Sequence, residues 1–306
     1  MTRKKNQFDN SKKTEQQSSS LDCRGLAVVT GAASGIGYET TRLLSQNGFK
    51  VYALVRRVES VDRLMQEFAS QPKQQVIAPH HLDVSNQKHL TAGIDAVIKQ
   101  ISTELGLLQK TAELVLVNNA GFSLMGSAEE TPLENLRQIM ETNFMGAAAL
   151  SQKFIPLMRH HGRGKIIQIS SSYGRVGAPF MSAYCASKFA LEGFSEAMRY
   201  ELLPSQIYVS LVEPGPVSTN FRKKSFIDKE PAISNYRAIY ELYNRRLATG
   251  KKWSSSPEKV ARVILKISNS KKPRLRYAVG LLGKAGSKTA QWLPAVFHER
   301  LYRPPA

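Results

Sequence analysis

The segment Val28-Val29-Thr30-Gly31-Ala32-Ala33-Ser34-Gly35-Ile36-Gly37 joins an apolar run to a glycine-rich turn. A helical stretch follows it and ends near Asn47-Gly48. A glycine turn between a buried strand and a helix lets backbone N–H groups and the positive helix end approach a pyrophosphate. The turn therefore predicts a dinucleotide site, with a tight turn that binds nothing as the alternative. The predicted contacts are Gly31, Ser34, Gly35, Ile36 and Gly37.

Short apolar runs recur along the chain, separated by segments long enough to form helices. The runs are unbroken rather than alternating, which is typical of strands buried on both faces of a sheet. This repetition predicts an α/β fold with a doubly wound parallel sheet. The runs are Leu26–Val29, Val51–Val55, Val76–Ala78, Leu114–Val117, Ile166–Ile169 and Ile207–Val212, and Arg276–Val279 is a candidate for a last short strand.

Composition excludes several classes of protein. The 306 residues are 42% hydrophobic and 22% charged, as in globular proteins, which excludes wholesale disorder and coiled coil. Cys23 and Cys185 are the only cysteines, and no apolar stretch is long enough to span a bilayer. We therefore expect neither a membrane-spanning protein nor a secreted disulfide scaffold, and a reducing, cytoplasmic location is the default.

The net charge of +19 is concentrated near the end of the chain. Residues 1–24 carry +3, residues 25–220 carry +1 and residues 221–306 carry +15. We expect residues 1–22 to form a disordered basic tail because they contain little apolar surface. The remainder, 23–306, is predicted to be a single domain that ends in a basic extension at 251–306.

Polar or basic residues follow several predicted strands, at the edge where open parallel sheets bind ligands. Arg56 ends the second strand, and an arginine there suits the 2'-phosphate of NADP, whereas NAD enzymes have an acid. A solvated surface arginine is the alternative. Asp83-Val84 and Asn119-Ala120-Gly121 follow the third and fourth strands and are further cofactor candidates, with turn chemistry as the alternative.

Tyr184 and Lys188 are four residues apart at the start of an apolar helical pattern, so they share one helix face. A neighbouring ammonium favours phenolate, which predicts that the pKa of Tyr184 falls toward working pH. Such a phenol could exchange a proton with a carbonyl or alcohol oxygen held by a serine hydroxyl. Without other motifs, an exposed helix pair is the commoner reading of this spacing.

Together these motifs resemble the short-chain dehydrogenase/reductase family over about residues 24–220. The motifs are TGAASGIG at 30–37, NNAG at 118–121, Asn143 in ETNFMG, Ser171 in ISSSYG, YCASK at 184–188 and PGPVST at 214–219. The resemblance implies a Rossmann-type sheet of about seven strands in a single catalytic domain, 23–306, with a substrate lid at 220–250. It also implies a nicotinamide cofactor and hydride transfer without a metal.

The resemblance also implies a role for each residue. Tyr184 is the general acid/base, Lys188 lowers its pKa and holds the nicotinamide ribose, and Ser171 orients the substrate oxygen. Asn143 anchors a water of the proton relay. Asp83, Val84 and Asn119 contact the adenosine side, and the loop Pro214, Gly215, Val217 and Thr219 contacts the nicotinamide carboxamide and pyrophosphate.

Within the family, the sequence is most similar to the branch of 17β-hydroxysteroid dehydrogenase type 1 and the retinol dehydrogenases. This implies an NADP(H)-dependent enzyme for a lipophilic alcohol or carbonyl such as a steroid, retinoid or related lipid, active as a homodimer or homotetramer. Lid aromatics either line an apolar pocket or only pack the lid. They are Phe221, Phe226, Tyr236, Tyr240 and Tyr243.

Three alternatives stay open at the level of sequence. A 3-oxoacyl-carrier reductase would use the basic C-terminal third to attract an acidic carrier protein. A non-catalytic NADP-binding sensor or adaptor would use the same site without turnover, and nucleic-acid binding is the least favoured reading. The basic third could also contact a membrane surface peripherally, or simply be solvated. The histidine pairs His80-His81 and His160-His161 lack the companions of a metal site, so no metal is predicted.

Overall fold

The computed structural model describes residues 23–69, 77–109, 111–219, 221, 226–227 and 233–285. The predicted tail at 1–22 and the end of the predicted basic extension, 286–306, lie outside the described residues. Within the described part of the chain, no helix is long and apolar enough to cross a membrane.

The described residues form nine strands. They are β1 Gly25–Thr30, β2 Phe49–Val55, β3 Ile77–His81, β4 Glu113–Asn118, β5 Leu124–Met125, β6 Gly164–Ile169, β7 Ile207–Pro214, β8 Phe226–Ile227 and β9 Arg276–Val279. Seven of them form one sheet in the order β3-β2-β1-β4-β6-β7-β9, and every pair is parallel. β5 and β8 pair separately. The predicted doubly wound, Rossmann-type sheet of seven strands is confirmed.

In the part of the chain that the structure describes, eight α-helices accompany the strands. They are α1 Gly35–Gln46, α2 Glu59–Ala69, α3 Gln87–Leu107, α4 Leu133–Met140, α5 Gly146–His161, α6 Ser182–Leu202, α7 Arg237–Lys251 and α8 Pro257–Asn269. A π-helical turn, Glu141–Met145, joins α4 to α5. α8 begins with a capped first turn, because Ser256 Oγ accepts the Lys259 backbone N–H at 3.2 Å and Pro257 occupies the first helical position.

The sheet is buried on both faces, and alternate residues of each strand enter opposite cores. On β1, Leu26 and Val28 pack with residues of α3, α5 and α6, whereas Ala27 and Val29 pack with residues of α1, α2 and α8. This two-sided burial explains why the strands read as unbroken apolar runs.

Candidate active site

The sheet order reverses between β1 and β4, which places a crevice at the carboxyl edge of these strands. β1 pairs with β2 on one side and with β4 on the other, so the connections leave in opposite directions. The turns that follow β1, β4, β6 and β7 meet at this edge. The motif residues named above lie at or directly after the ends of strands, except Asn143, which lies in the π-helical turn, and Tyr184 and Lys188, which lie in α6.

The glycine turn requires glycine at specific points. Gly31 and Gly35 have φ of +65° and +58°, a region that other residues rarely adopt. A Cβ on Gly37 would lie 2.3 Å from Gly31 O and 2.5 Å from Asn119 Nδ2. The absence of side chains lets α1 begin directly beyond β1, with Ser34 as its N-cap residue and Ile36 in its first turn.

Hydrogen bonds tie this turn to the end of β4. The Asn119 and Ala120 backbone N–H groups both donate to Thr30 Oγ1 at 2.9 Å, and Asn119 Nδ2 donates to Thr30 O at 2.9 Å. The side chain of Asn119 therefore holds the two strand ends together. Its predicted contact with the adenosine side of a cofactor stays a prediction.

The remaining cofactor candidates also lie at the carboxyl edge. Arg56 is exposed immediately after β2. After β3, Asp83 Oδ1 accepts the Ser85 backbone N–H at 3.0 Å and its hydroxyl at 2.7 Å, and Val84 is buried. These contacts form a local turn around Asp83, so its carboxylate already has partners within its own loop.

The loop Pro214–Thr219 packs against two parts of the chain. A Cβ on Gly35 would lie 3.2 Å from Thr219 Cγ2, which brings this loop against the glycine turn. On its other side, a Cβ on Gly215 would lie 2.6 Å from Gly283 N. Gly283 belongs to the predicted basic extension, 251–306. Part of this extension therefore borders the crevice, a contact that the sequence did not predict.

Tyr184 and Lys188 lie on the first two turns of α6, and both are buried, with 7% and 5% exposure. The Lys188 Nζ donates to the backbone carbonyl of Ile169 at 2.8 Å and lies 5.9 Å from the centre of the Tyr184 ring. The hydroxyl of Ser171, two residues after β6 ends, lies close enough to Tyr184 to lower the pKa of its phenol. The structure thus brings together Ser171, Tyr184 and Lys188, as the sequence predicts.

The pKa of Tyr184 differs from the sequence-based expectation. Burial raises the pKa of this phenol well above its ordinary value, and the nearby Ser171 hydroxyl opposes that rise only in part. Burial also lowers the pKa of Lys188 to about 8, which the nearby charge of Glu192 opposes. The predicted fall in the Tyr184 pKa is therefore wrong for this structure, because desolvation by burial is the largest influence on the phenol.

Asn143 is 1% exposed and lies in the π-helical turn. Its Nδ2 donates to Phe122 O at 2.9 Å and to Ser187 Oγ at 3.1 Å, and its Oδ1 accepts the Phe122 backbone N–H at 3.0 Å. A Cβ on Gly121 would lie 2.9 Å from Asn143 Oδ1 and 3.9 Å from Lys188 Nζ. Glycine at 121 therefore keeps the space between these two groups open.

Aromatic rings surround Tyr184. Tyr173 and Phe221 have ring centres 6.4 and 6.2 Å from it. Phe180, at φ +61°, contacts the α7 residues Tyr240 and Tyr243 at 5.3 and 6.1 Å. These rings connect the described part of the predicted lid to the floor of the site.

Tyr236 also contacts Phe180, at 6.3 Å between ring centres, and Tyr243 OH lies 3.3 Å from Tyr173 OH. The side chain of Phe226, which the sequence also places here, lies outside what the structure describes. Cys185 is packed beside this cluster, and burial raises the pKa of its thiol.

Sequence reasoning missed several residues that shape the site. Ile169 and Phe122 act through backbone groups, which leave no side-chain signal. Ser187 and Tyr173 could have been found from the sequence, since each is a polar residue close to a predicted catalytic residue, Ser187 in YCASK and Tyr173 in ISSSYG. Arg276 lies in the predicted basic extension, and the sequence gives no sign of its partners. In the structure its guanidinium contacts the carboxylates of Glu192, Glu196 and Glu213.

Comparison with known proteins gives a consistent assignment. A family model described as short chain dehydrogenase matches residues 25–230. Retinol dehydrogenase 8 of Bos taurus is 32% identical, with 83% of this chain and 81% of that protein covered. Human 17-beta-hydroxysteroid dehydrogenase type 1 is 32% identical, with 83% and 77% covered.

A solved short-chain dehydrogenase from Streptomyces avermitilis superposes with a TM-score of 0.75 at 30% identity. The match covers 92% of this chain and 95% of that one. The similarity therefore extends beyond the motifs, across both the sheet and much of the C-terminal region.

Proposed function

The chain belongs to the short-chain dehydrogenase/reductase family, and we propose that it interconverts an alcohol and its ketone or aldehyde on a lipophilic substrate with NADP(H). Family membership makes it an oxidoreductase with a nicotinamide cofactor. The observation that carries the proposal is the convergence of Ser171, Tyr184 and Lys188 beside the glycine turn. No other group of described residues combines a buried phenol, an ammonium and a hydroxyl at the crevice.

The crevice fits a dinucleotide. The glycine turn and the start of α1 offer backbone N–H groups for a pyrophosphate, and Gly121 leaves room beside Lys188. An ammonium has three N–H groups. Its bond to Ile169 uses one of them, so Lys188 can also donate to ribose hydroxyls. Exposed Arg56 favours NADP(H), because a guanidinium pairs well with a 2'-phosphate.

A nicotinamide cofactor held in this crevice would supply the hydride that reduces the carbonyl carbon. Tyr184, which is protonated at neutral pH because burial raises its pKa, donates its phenolic proton to the carbonyl oxygen. Ser171 hydrogen-bonds to the same oxygen as negative charge develops. The Lys188 ammonium then stabilises the phenolate until a proton returns. In the oxidative direction the same groups act in reverse order.

The aromatic surroundings of Tyr184 support a lipophilic substrate. Tyr173 and Phe221 lie against the catalytic ring, and the lid helix α7 adds Tyr240 and Tyr243. The names of two relatives, a retinol dehydrogenase and a hydroxysteroid dehydrogenase, point to the same class. We therefore expect a steroid, a retinoid or a related lipid.

Exposed Lys271, Lys272, Leu281 and Leu282 would suit peripheral contact with the membrane that such a substrate enters. A homodimer or homotetramer stays a prediction, as the family commonly oligomerises.

A substrate and cofactor panel tests the proposal. NADPH and NADH oxidation would be followed with retinal, a 17-ketosteroid and a 3-oxoacyl thioester. The proposal predicts turnover of a lipophilic ketone or aldehyde with a preference for NADPH. Turnover of the thioester alone would favour the acyl-carrier alternative. Tight NADPH binding without turnover of any carbonyl would favour a non-catalytic sensor and contradict the proposal.

A further inference from the structure

Four ionisable side chains follow one another along a single face of α6. Tyr184, Lys188, Glu192 and Glu196 are each four residues apart, so they stack one helical turn above the next. The row starts at the catalytic phenol and ends at the surface, since the side chain of Glu192 is 5% exposed and that of Glu196 is 39% exposed. Glu192 is therefore the buried carboxylate directly behind Lys188.

Arg276 on the edge strand β9 holds Glu192 in place. Its Nε lies 3.2 Å from Glu192 Oε2 and 3.3 Å from Glu213 Oε1 on β7. A second guanidinium nitrogen of Arg276 lies 2.9 Å from Glu196 Oε2. One guanidinium thus bridges carboxylates from α6 and β7, and this bridge fixes the position of α6 relative to the sheet.

Ser170 and Gly174 close the other side of Glu192. The Ser170 hydroxyl lies near the Glu192 carboxylate and opposes the rise in its pKa, although Ser170 Oγ makes no hydrogen bond to the described residues. A Cβ on Gly174 would lie 2.7 Å from Ser170 Oγ and 3.0 Å from Glu192 Cγ, so glycine permits this close packing. The charged or titratable groups that face Glu192 are Lys188 and Glu196 on α6, Glu213 on β7, Arg276 on β9, and Arg175 beyond β6.

We propose that Glu192 is a positioning residue for Lys188, whose ammonium it keeps charged, and that Arg276 holds the Glu192 carboxylate in its charged form. This inference rests on the proposed function, in which Lys188 serves the reaction. Ile169 O offers the buried ammonium only a neutral carbonyl partner, whereas Glu192 offers a negative charge one turn away.

The balance of charges supports this assignment. Burial and the charge of Glu213 raise the pKa of Glu192 to about 7, while Ser170, Arg276 and Arg175 oppose the rise. Glu192 is thus negatively charged over the range in which Lys188, with a pKa of about 8, loses its proton. Removing that negative charge should make Lys188 lose its proton at lower pH.

The direct test follows Lys188 in the ligand-free protein by NMR of ¹³C-labelled lysine side chains, with Lys188→Arg used to assign the signal. In Glu192→Gln we expect the titration midpoint of Lys188 to fall by about one pH unit. Glu196→Gln is the matched control, because Glu196 contacts the same arginine but lies one helical turn farther from Lys188. In this variant the titration midpoint of Lys188 should equal that of the wild type. An unchanged midpoint in Glu192→Gln would overturn the proposal.

A second variant keeps the proposal testable if Glu192→Gln does not fold. Arg276→Lys retains the positive charge but lacks the planar fork that bridges carboxylates. Glu192 should then hold its proton to higher pH, and the Lys188 midpoint should fall in the same direction. A midpoint that stays constant or rises in this variant would also contradict the proposal.

Kinetics give an independent readout. The alkaline limit of kcat should move down in Glu192→Gln by the same shift as the NMR midpoint, with little change in KM, and should not move in Glu196→Gln. If the wild type reduces no carbonyl compound, the proposed function fails, yet the NMR titration still decides the coupling. If the wild type is active and Glu192→Gln has the same pH profile, only the coupling fails.

Discussion

The Nζ of Lys188 donates a 2.8 Å hydrogen bond to the backbone carbonyl of Ile169, the last residue of β6. This bond fixes the ammonium of α6 at the carboxyl end of a central strand, 5.9 Å from the centre of the Tyr184 ring. The position of α6 is thereby tied to the sheet that forms the floor of the crevice.

The buried ammonium predicts how carbonyl reduction depends on pH. Burial lowers the pKa of Lys188 to about 8. The side chain of Lys188 is therefore mostly charged below that pH and mostly neutral above it. Tyr184, with its pKa raised, keeps its proton over the same range. The kcat for reduction should therefore fall as pH rises through about 8, measured under saturating NADPH. A rate that stays flat to pH 10 would contradict this assignment.

Gly37→Ala should destabilise the protein and impair cofactor binding. Its Cβ would meet Gly31 O at 2.3 Å, and backbone cannot move aside as a flexible side chain can. We expect a loss of about 1–3 kcal/mol in the free energy of unfolding, measured by urea denaturation. Gly106→Ala in α3 is the control, since no described atom lies within 4 Å of its Cβ position. Equal stability of the two variants would refute the argument.

Asn143→Ala tests whether this residue stabilises the site. The substitution leaves the Phe122 backbone N–H and carbonyl without their partner. The expected cost is about 1–3 kcal/mol of unfolding free energy. Thr142→Ala, at a half-buried neighbour in the same π-helical turn, should change stability far less. If Asn143→Ala reduces only kcat and leaves stability intact, the hydrogen bonds to Phe122 matter little.

Arg56→Ala should weaken NADP binding more than NAD binding. The side chain is exposed at the end of β2, where a 2'-phosphate is expected. Loss of one charge-assisted contact corresponds to about a tenfold rise in Kd for NADP. Calorimetric titration of both cofactors measures the effect, and Arg57→Ala is the neighbouring control. Equal weakening of NAD and NADP would show that Arg56 does not select the phosphate.

Much of the fold could be predicted from the sequence because each strand is buried on both faces. The runs at Leu26–Val29 and Leu114–Val117 lie within β1 and β4, and the order of motifs places Ser171, Tyr184 and Lys188 at one edge. These features depend on local pattern and on the geometry of parallel sheets.

Other features depend on tertiary packing and left no readable pattern. Burial reverses the expected pKa shift of Tyr184, and burial cannot be judged from a spacing of four residues. Arg276 lies in a strongly basic stretch, yet β9 pairs with β7 and places it beside Glu192 and Glu213. The left-handed backbone of Phe180 likewise follows from its loop, not from its residue type.

The most direct measurement is single-turnover NADPH oxidation by wild type and Tyr184→Phe with a lipophilic ketone or aldehyde. Phenylalanine keeps the ring in its aromatic surroundings and removes only the phenolic hydroxyl. Proton transfer from a positioned side chain contributes a factor of about 100 to 10,000, so the rate should fall by that factor while NADPH affinity stays within about twofold. A rate equal to that of the wild type would contradict Tyr184 as the proton donor.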